Sequence, residues 1–124
     1  MIPKFRVWDK NNKKMLGWKE LDLTKELGED EITIFEPTGQ FAQPMYFYET
    51  MQSTGLKDDF GNELFEGDIF ESRFSGIKYV VYWDDELASF WIKGETKTHP
   101  LYTLTPFHPR ILGNIYENPE LLEG

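Results

Sequence analysis

Apolar and polar positions alternate along this chain in short runs broken by turn residues, a pattern that predicts strands. Phe5, Val7 and Trp8 run into the polar cluster Asp9 to Lys14, and Met15 to Trp18 follow, so residues 1 to 18 read as a β-hairpin. Trp18 to Leu27 is ambiguous. Trp18, Leu21, Leu23 and Leu27 approximate helical spacing, whereas Leu21 and Leu23 also alternate with polar residues as in a strand. Ile32 to Phe35 is a short β-prone run ended by Pro37 and Gly39. Pro37 to Pro44 reads as a loop, and Met45 to Tyr48 as another strand.

After Gln52 the pattern sharpens. Lys57 to Asn62 is a turn cluster, and Glu66-Gly67-Asp68 releases the chain into the apolar strand Ile69 to Phe74. Ser75-Gly76 turns it into Ile77 to Trp83, and Asp84 to Leu87 leads to Ala88 to Lys93. Thr98 to Thr105 and Ile111 to Tyr116 read as further strands. Asn118-Pro119 starts one short helical turn to Leu122. A four-residue loop at Asp84 to Leu87 pairs Trp83 with Ala88, Val81 with Phe90 and Tyr79 with Ile92. One face then carries these six with Ile77, and the other carries Lys78, Val80, Tyr82, Ser89, Trp91 and Lys93. The expectation is an all-β protein. Short twisted strands with glycine at the corners suit a small barrel of SH3 type over residues 51–124, with a β-rich extension over 1–50.

Composition narrows the function classes. With 124 residues, 40% apolar and 16% aromatic, the chain can bury a core without staples. Cysteine is absent, which excludes disulfides, thiolate metal sites and cysteine nucleophiles and suits a reducing cytoplasm. The opening is charged within four residues and no apolar run approaches ~18 residues, so neither a signal peptide nor a membrane span is expected. Thirteen basic against 22 acidic residues give a net charge of −9. That balance opposes nucleic-acid binding and favours a basic partner.

Three segments carry a family resemblance: KFRVWD at Lys4 to Asp9, MQSTGLKDDFGNELFEGDI at Met51 to Ile69, and ILGNIYENPELL at Ile111 to Leu122. In this order and spacing they resemble the YopX family of small proteins encoded by bacteriophages and by prophages of Gram-positive bacteria. The resemblance implies an SH3-like roll in the C-terminal half. It implies no activity, cofactor or site residue.

Candidate chemistry is sparse. His99 and His108 each precede a proline, poor geometry for a helix-borne metal pair, so a His-carboxylate site with an acid such as Asp84 is disfavoured. In Asp58 to Glu63 the glycine falls at position 4 of a would-be calcium loop and Phe60 at position 3, so a turn is the better account. Asp84, Asp85 and Glu86 at a hairpin tip point apart into water and do not converge as catalytic carboxylates. The serines lie in no GxSxG context, and Gly55, Gly61 and Gly67 make no phosphate loop. No cofactor and no metal are expected.

One feature suggests recognition: Tyr82 and Trp91 on the less apolar hairpin face, flanked by Lys78 and Lys93. This face is either a binding patch or a second core beneath the N-terminal half. The sequence therefore predicts a non-enzymatic, cytoplasmic protein-binding or assembly module with an unknown protein partner. Homo-oligomerisation is compatible with that reading. The alternative is an acidic mimic of DNA that blocks a host nucleic-acid enzyme, and the least favoured reading is a small hydrolase using His99 or His108 with acids.

Overall fold

The structure, a computed structural model, describes residues 4–17, 22–24, 33–35, 43–44 and 48–123. Among them the chain is nearly all β, interrupted by single 3-10 turns. Backbone contacts divide it into two units, Met1–Gln52 and Ser53–Gly124.

In the first unit, β1 (Phe5–Asp9) runs antiparallel to β2 (Lys14–Leu16), with Val7 opposite Leu16 and Asp9 opposite Lys14. The turn between them is built on a buried carboxylate. Asp9 Oδ1 accepts from the N–H groups of Asn11 and Asn12 at 3.0 and 3.1 Å, and Oδ2 from the Asn12 amide at 2.8 Å. An aspartate that satisfies turn amides in this way specifies where the strand stops. Strands β3 (Asp22–Thr24), β4 (Thr33–Phe35) and β5 (Gln43–Pro44) form a three-stranded antiparallel sheet in that order. Residues 43–44 are thus an edge strand and not loop as expected. Pro44, which has no N–H to donate, is tolerated because it lies at the sheet's edge. The other residues of 18–47 lie outside the described set, including most of the ambiguous Trp18 to Leu27 and Met45 to Phe47 of the expected strand. β6 (Tyr48–Lys57) pairs through residues 48–52 with β1, placing Met51 opposite Arg6. Val7, Leu16 and Met51 are buried.

In the second unit, the rest of β6 pairs irregularly with β7 (Glu63–Phe65), the register shifting between Ser53 and Lys57. Then β8 (Asp68–Ser72), β9 (Lys78–Asp84), β10 (Ser89–Lys93) and β11 (Thr98–Pro100) form an antiparallel meander. β12 (Pro109–Asn114) returns to pair with β8, giving the order β11-β10-β9-β8-β12 in a sheet that curls as a half-barrel. Leu64, Phe70, Tyr79, Val81, Ile92, Leu101 and Leu104 form its core, with Phe90, Phe107 and Ile111 packed against them. Phe70 stacks on Tyr79 at 5.4 Å, and Phe107 meets Tyr79 edge-on at 5.2 Å.

Within β9 and β10 the faces emerge as the alternation predicts, whereas Ile77, 47% exposed, and Ala88 fall outside the strands, and the pairing differs. Val81 opposes Ile92, and Phe90 opposes Trp83, a shift of two residues from the expected Val81 with Phe90. A two-residue slip keeps every side chain on its face. Its cause is Asp84, which remains in β9 opposite Ser89 while its Oδ1 accepts from Glu86 and Leu87 N–H at 2.9 and 3.1 Å. The four-residue loop is therefore Asp85 to Ala88, closed by Ala88 at φ 50°. A second difference falls at Thr98 to Thr105. The strand ends at Pro100, and the 3-10 turns Leu101–Thr103 and Thr105–Phe107 follow, insinuating Leu101 and Leu104 into the core.

Candidate functional site

Sequence reasoning singles out Lys78, Tyr82, Trp91 and Lys93, and all four lie on one face of β9 and β10. Tyr82 and Trp91 are direct cross-strand partners, and Trp91 in turn opposes Pro100 on β11. A row of three ring-bearing residues therefore crosses three strands. Tyr82 and Trp91 are half-buried and the two lysines exposed. The Trp91 indole N–H donates to Ser89 Oγ at 2.9 Å, which holds the ring along its own strand.

The lysines edge a cleft of about 810 Å³ beside this row. Ile77, Val80, Leu121 and Leu122 supply its apolar walls, and Glu95 and Glu123 also line it. Lys78 Nζ donates to the Leu121 carbonyl at 3.1 Å and so ties the C-terminal 3-10 turn, Pro119–Leu122, to the cleft. Lys93 opposes Val80 across the hairpin and stands exposed. Two ammonium and two carboxylate groups around a depression with apolar walls, next to an aromatic row, can seat an apolar anchor and orient charged groups around it.

The two histidines go to different places. His99 opposes Ile92 on β11, and its ring packs on Phe107 at 5.0 Å and Tyr79 at 6.2 Å, so it belongs to the rim of the core. His108 adopts a left-handed conformation, φ 48°, after the second 3-10 turn. Its Nδ1 lies 3.1 Å from Asp59 Oδ2, the same oxygen that accepts from Arg73 at 3.1 Å. Among the described residues, no group of three or more histidine, aspartate or glutamate side chains is placed to hold a metal ion.

Around that shared oxygen lies a cluster that sequence reasoning did not find. The Arg73 guanidinium covers the Phe60 ring at 5.3 Å, and the Phe74 ring meets His108 edge-on at 4.8 Å. Phe60 is 59% and Phe74 79% exposed. Arg73 is 14 positions from Asp59, and His108 is 49. Only the exposed apolar character of Phe60 and Phe74 beside turn residues could have signalled it.

Asp58, next to this cluster, is spent on structure. Its Oδ1 accepts from Phe60 and Asn62 N–H at 3.0 and 2.8 Å, and Oδ2 from Ile111 N–H at 3.1 Å and the Asn62 amide at 3.3 Å. Burial alone pushes its carboxyl up, but the backbone donors Ile111, Asn62 and Phe60 and the Asn62 side chain favour the anion and bring it below its ordinary value. The carboxylate that invited a calcium reading thus holds a turn against β12. Asp68 Oδ2, likewise buried, accepts from Phe65 N–H at 2.7 Å, and Asn114 Oδ1 from Tyr116 and Glu117 N–H at 3.0 and 2.9 Å.

Comparison with known proteins agrees with the fold. The family model described as YopX protein matches residues 4–123. The crystal structure of protein EF1440 from Enterococcus faecalis is similar at 29% identity and TM-score 0.65, covering 99% of each chain. The crystal structure of YopX from Bacillus subtilis is similar at 20% identity and TM-score 0.64, covering 97% of this chain and 98% of that one. No curated protein matches.

Proposed function

The chain belongs to the YopX family, and from that premise we propose that it is a phage or prophage accessory protein without catalysis of its own. It acts by binding a protein partner on the outer face of the β9-β10 hairpin, in the cytoplasm of the host cell. The observation that carries this reading is the direct pairing of Tyr82 with Trp91 beside a lysine-edged apolar cleft. Half-buried aromatics are fixed in place at little entropic cost, which suits anchors at the centre of an interface. A partner of basic overall charge complements the net −9 of the chain and is steered toward it. Catalysis is disfavoured because His99 is packed among rings, whereas the Asp59 oxygen beside His108 is shared with Arg73.

The test is quantitative capture from host lysate by the immobilised full chain and by its Trp91→Ala, Lys93→Glu and Phe74→Ser variants. A partner held by wild type and by Phe74→Ser, and lost by the first two, supports the hairpin face. Equal capture by all four removes it.

A further inference from the structure

We propose that the chain associates head to tail with a second copy of itself, the tip of one β9-β10 hairpin docking on the Phe60, Arg73, Phe74 and His108 cluster of the next. The two surfaces complement each other in chemistry. The cluster offers two exposed phenyl rings around Arg73, whose side chain is 45% exposed, and His108, at 44%, whereas the Asp59 carboxylate that holds both is only 27% exposed. The Arg73 side chain is thus more exposed than its counter-charge. Among the described residues, Asp59 is the one side chain that accepts from Arg73, which leaves most of its donors for a carboxylate from outside.

The hairpin tip presents that carboxylate next to an apolar side chain. Asp85 and Glu86 are exposed, Leu87 is 59% exposed, and the Asp84 carboxylate fixes the backbone of Glu86 and Leu87 before any contact is made. A preorganised tip loses little freedom on docking. Leu87 fits between the phenyl rings, and Glu86 or Asp85 reaches Arg73.

The topology makes this contact intermolecular. Arg73 and Phe74 lie at the turn between β8 and β9, where Phe60 and His108 meet them, and the tip lies at the turn between β9 and β10. In a meander, successive turns sit at opposite ends of the sheet, and the seven residues of β9 separate them by roughly 20 Å at ~3.3 Å per residue. No copy can fill its own cluster. A contact between two different surfaces of identical chains is heterologous, so it propagates to a ring or an open file of copies.

The experiment is sedimentation velocity on the full chain over a concentration series, up to roughly millimolar, with circular dichroism as a check of folding. Wild type should gain mass with concentration. Arg73→Glu and Glu86→Arg should each weaken association at least ~10-fold, because like charges then face each other. The chain carrying both substitutions, and an equimolar mixture of the two single variants, should regain it. Phe74→Ser should weaken association without loss of stability, and Trp91→Ala should leave it unchanged, since neither Trp91 nor Tyr82 takes part. A wild-type chain that stays monomeric throughout overturns the proposal. So does association indifferent to both charge reversals, or a loss that the paired reversals fail to restore.

Discussion

The amide of Ile111 donates to Asp58 Oδ2 at 3.1 Å across 53 positions of sequence. One buried carboxylate thereby organises the turn Asp58 to Asn62 and fastens it to β12, where Asp59 N–H also donates to the Pro109 carbonyl at 2.9 Å. Asp58→Ala leaves three backbone amides without their acceptor. A loss of about 2 to 4 kcal/mol is expected in urea denaturation.

The same carboxylate gives a pH dependence. Asp58 holds its proton less tightly in the folded chain than in the unfolded one, so its stabilisation is complete above the ordinary carboxylate value of ~3.9. As pH falls, the unfolded chain takes up the proton first, and the stabilisation drains away through the lower, folded value. The stability difference between wild type and Asp58→Asn should therefore be constant near neutrality and shrink below about pH 4. A difference that grows on acidification would contradict this assignment.

Gly67 has φ 87°, with its N–H donating to the Val81 carbonyl at 2.8 Å and its own carbonyl accepting from Ile115 at 2.9 Å. A side chain there is strained while both hydrogen bonds hold the backbone in place. Gly67→Ala should cost about 1 kcal/mol or more. An unchanged urea midpoint would mean that the turn relaxes freely.

Gly94 acts through space and not through φ. A Cβ added there would lie 2.8 Å from Tyr79 Cε1, pressing on a ring already stacked against Phe70. Gly94→Ala should destabilise by about 1 to 3 kcal/mol, and Gly94→Ala with Tyr79→Leu by less than the sum of the two. Additive losses would show that the ring has room to move.

The hairpin faces differ in what their truncation costs. Ile92 is fully buried in the core, so Ile92→Ala should lose about 2 to 5 kcal/mol. Trp91, its neighbour on the opposite face, is half-buried. Trp91→Ala should cost about 1 to 2 kcal/mol, read from thermal midpoints of both variants. A loss as large as that of Ile92→Ala would make Trp91 a core residue and deprive the binding face of its anchor.

The hairpin shows what the sequence could and could not disclose. Alternation alone places Tyr79, Val81 and Ile92 inward and Tyr82 and Trp91 outward, because side-chain direction has a period of two. Register is finer. It depends on whether Asp84 belongs to the strand or the loop, and here the residue pairs through its backbone while capping through its side chain. β6 is not legible because Tyr48–Lys57 is mostly polar and contains Gly55 at φ 81° beside an irregular pairing. Thr98 to Thr105 looks extended, yet Pro106 opens the second 3-10 turn with φ already set. The shared face of Tyr82 and Trp91 follows from the alternation, but their direct pairing comes from the register that Asp84 sets, and the Arg73, Asp59 and His108 cluster arises from tertiary proximity that no local pattern records.

The return of β12 to β8 sets an order of events in folding. Strands β8 to β11 meet through short turns, so their closure entropy is small, whereas β12 must close a far longer loop. The meander can thus form at the transition state while the Asp58 to Ile111 fastening waits for β12. An interaction made late leaves the folding rate alone and raises the unfolding rate when it is removed. In a chevron plot, Asp58→Ala should shift the unfolding arm and spare the folding arm. This one carboxylate would then govern how long a folded copy persists more than how quickly it is made.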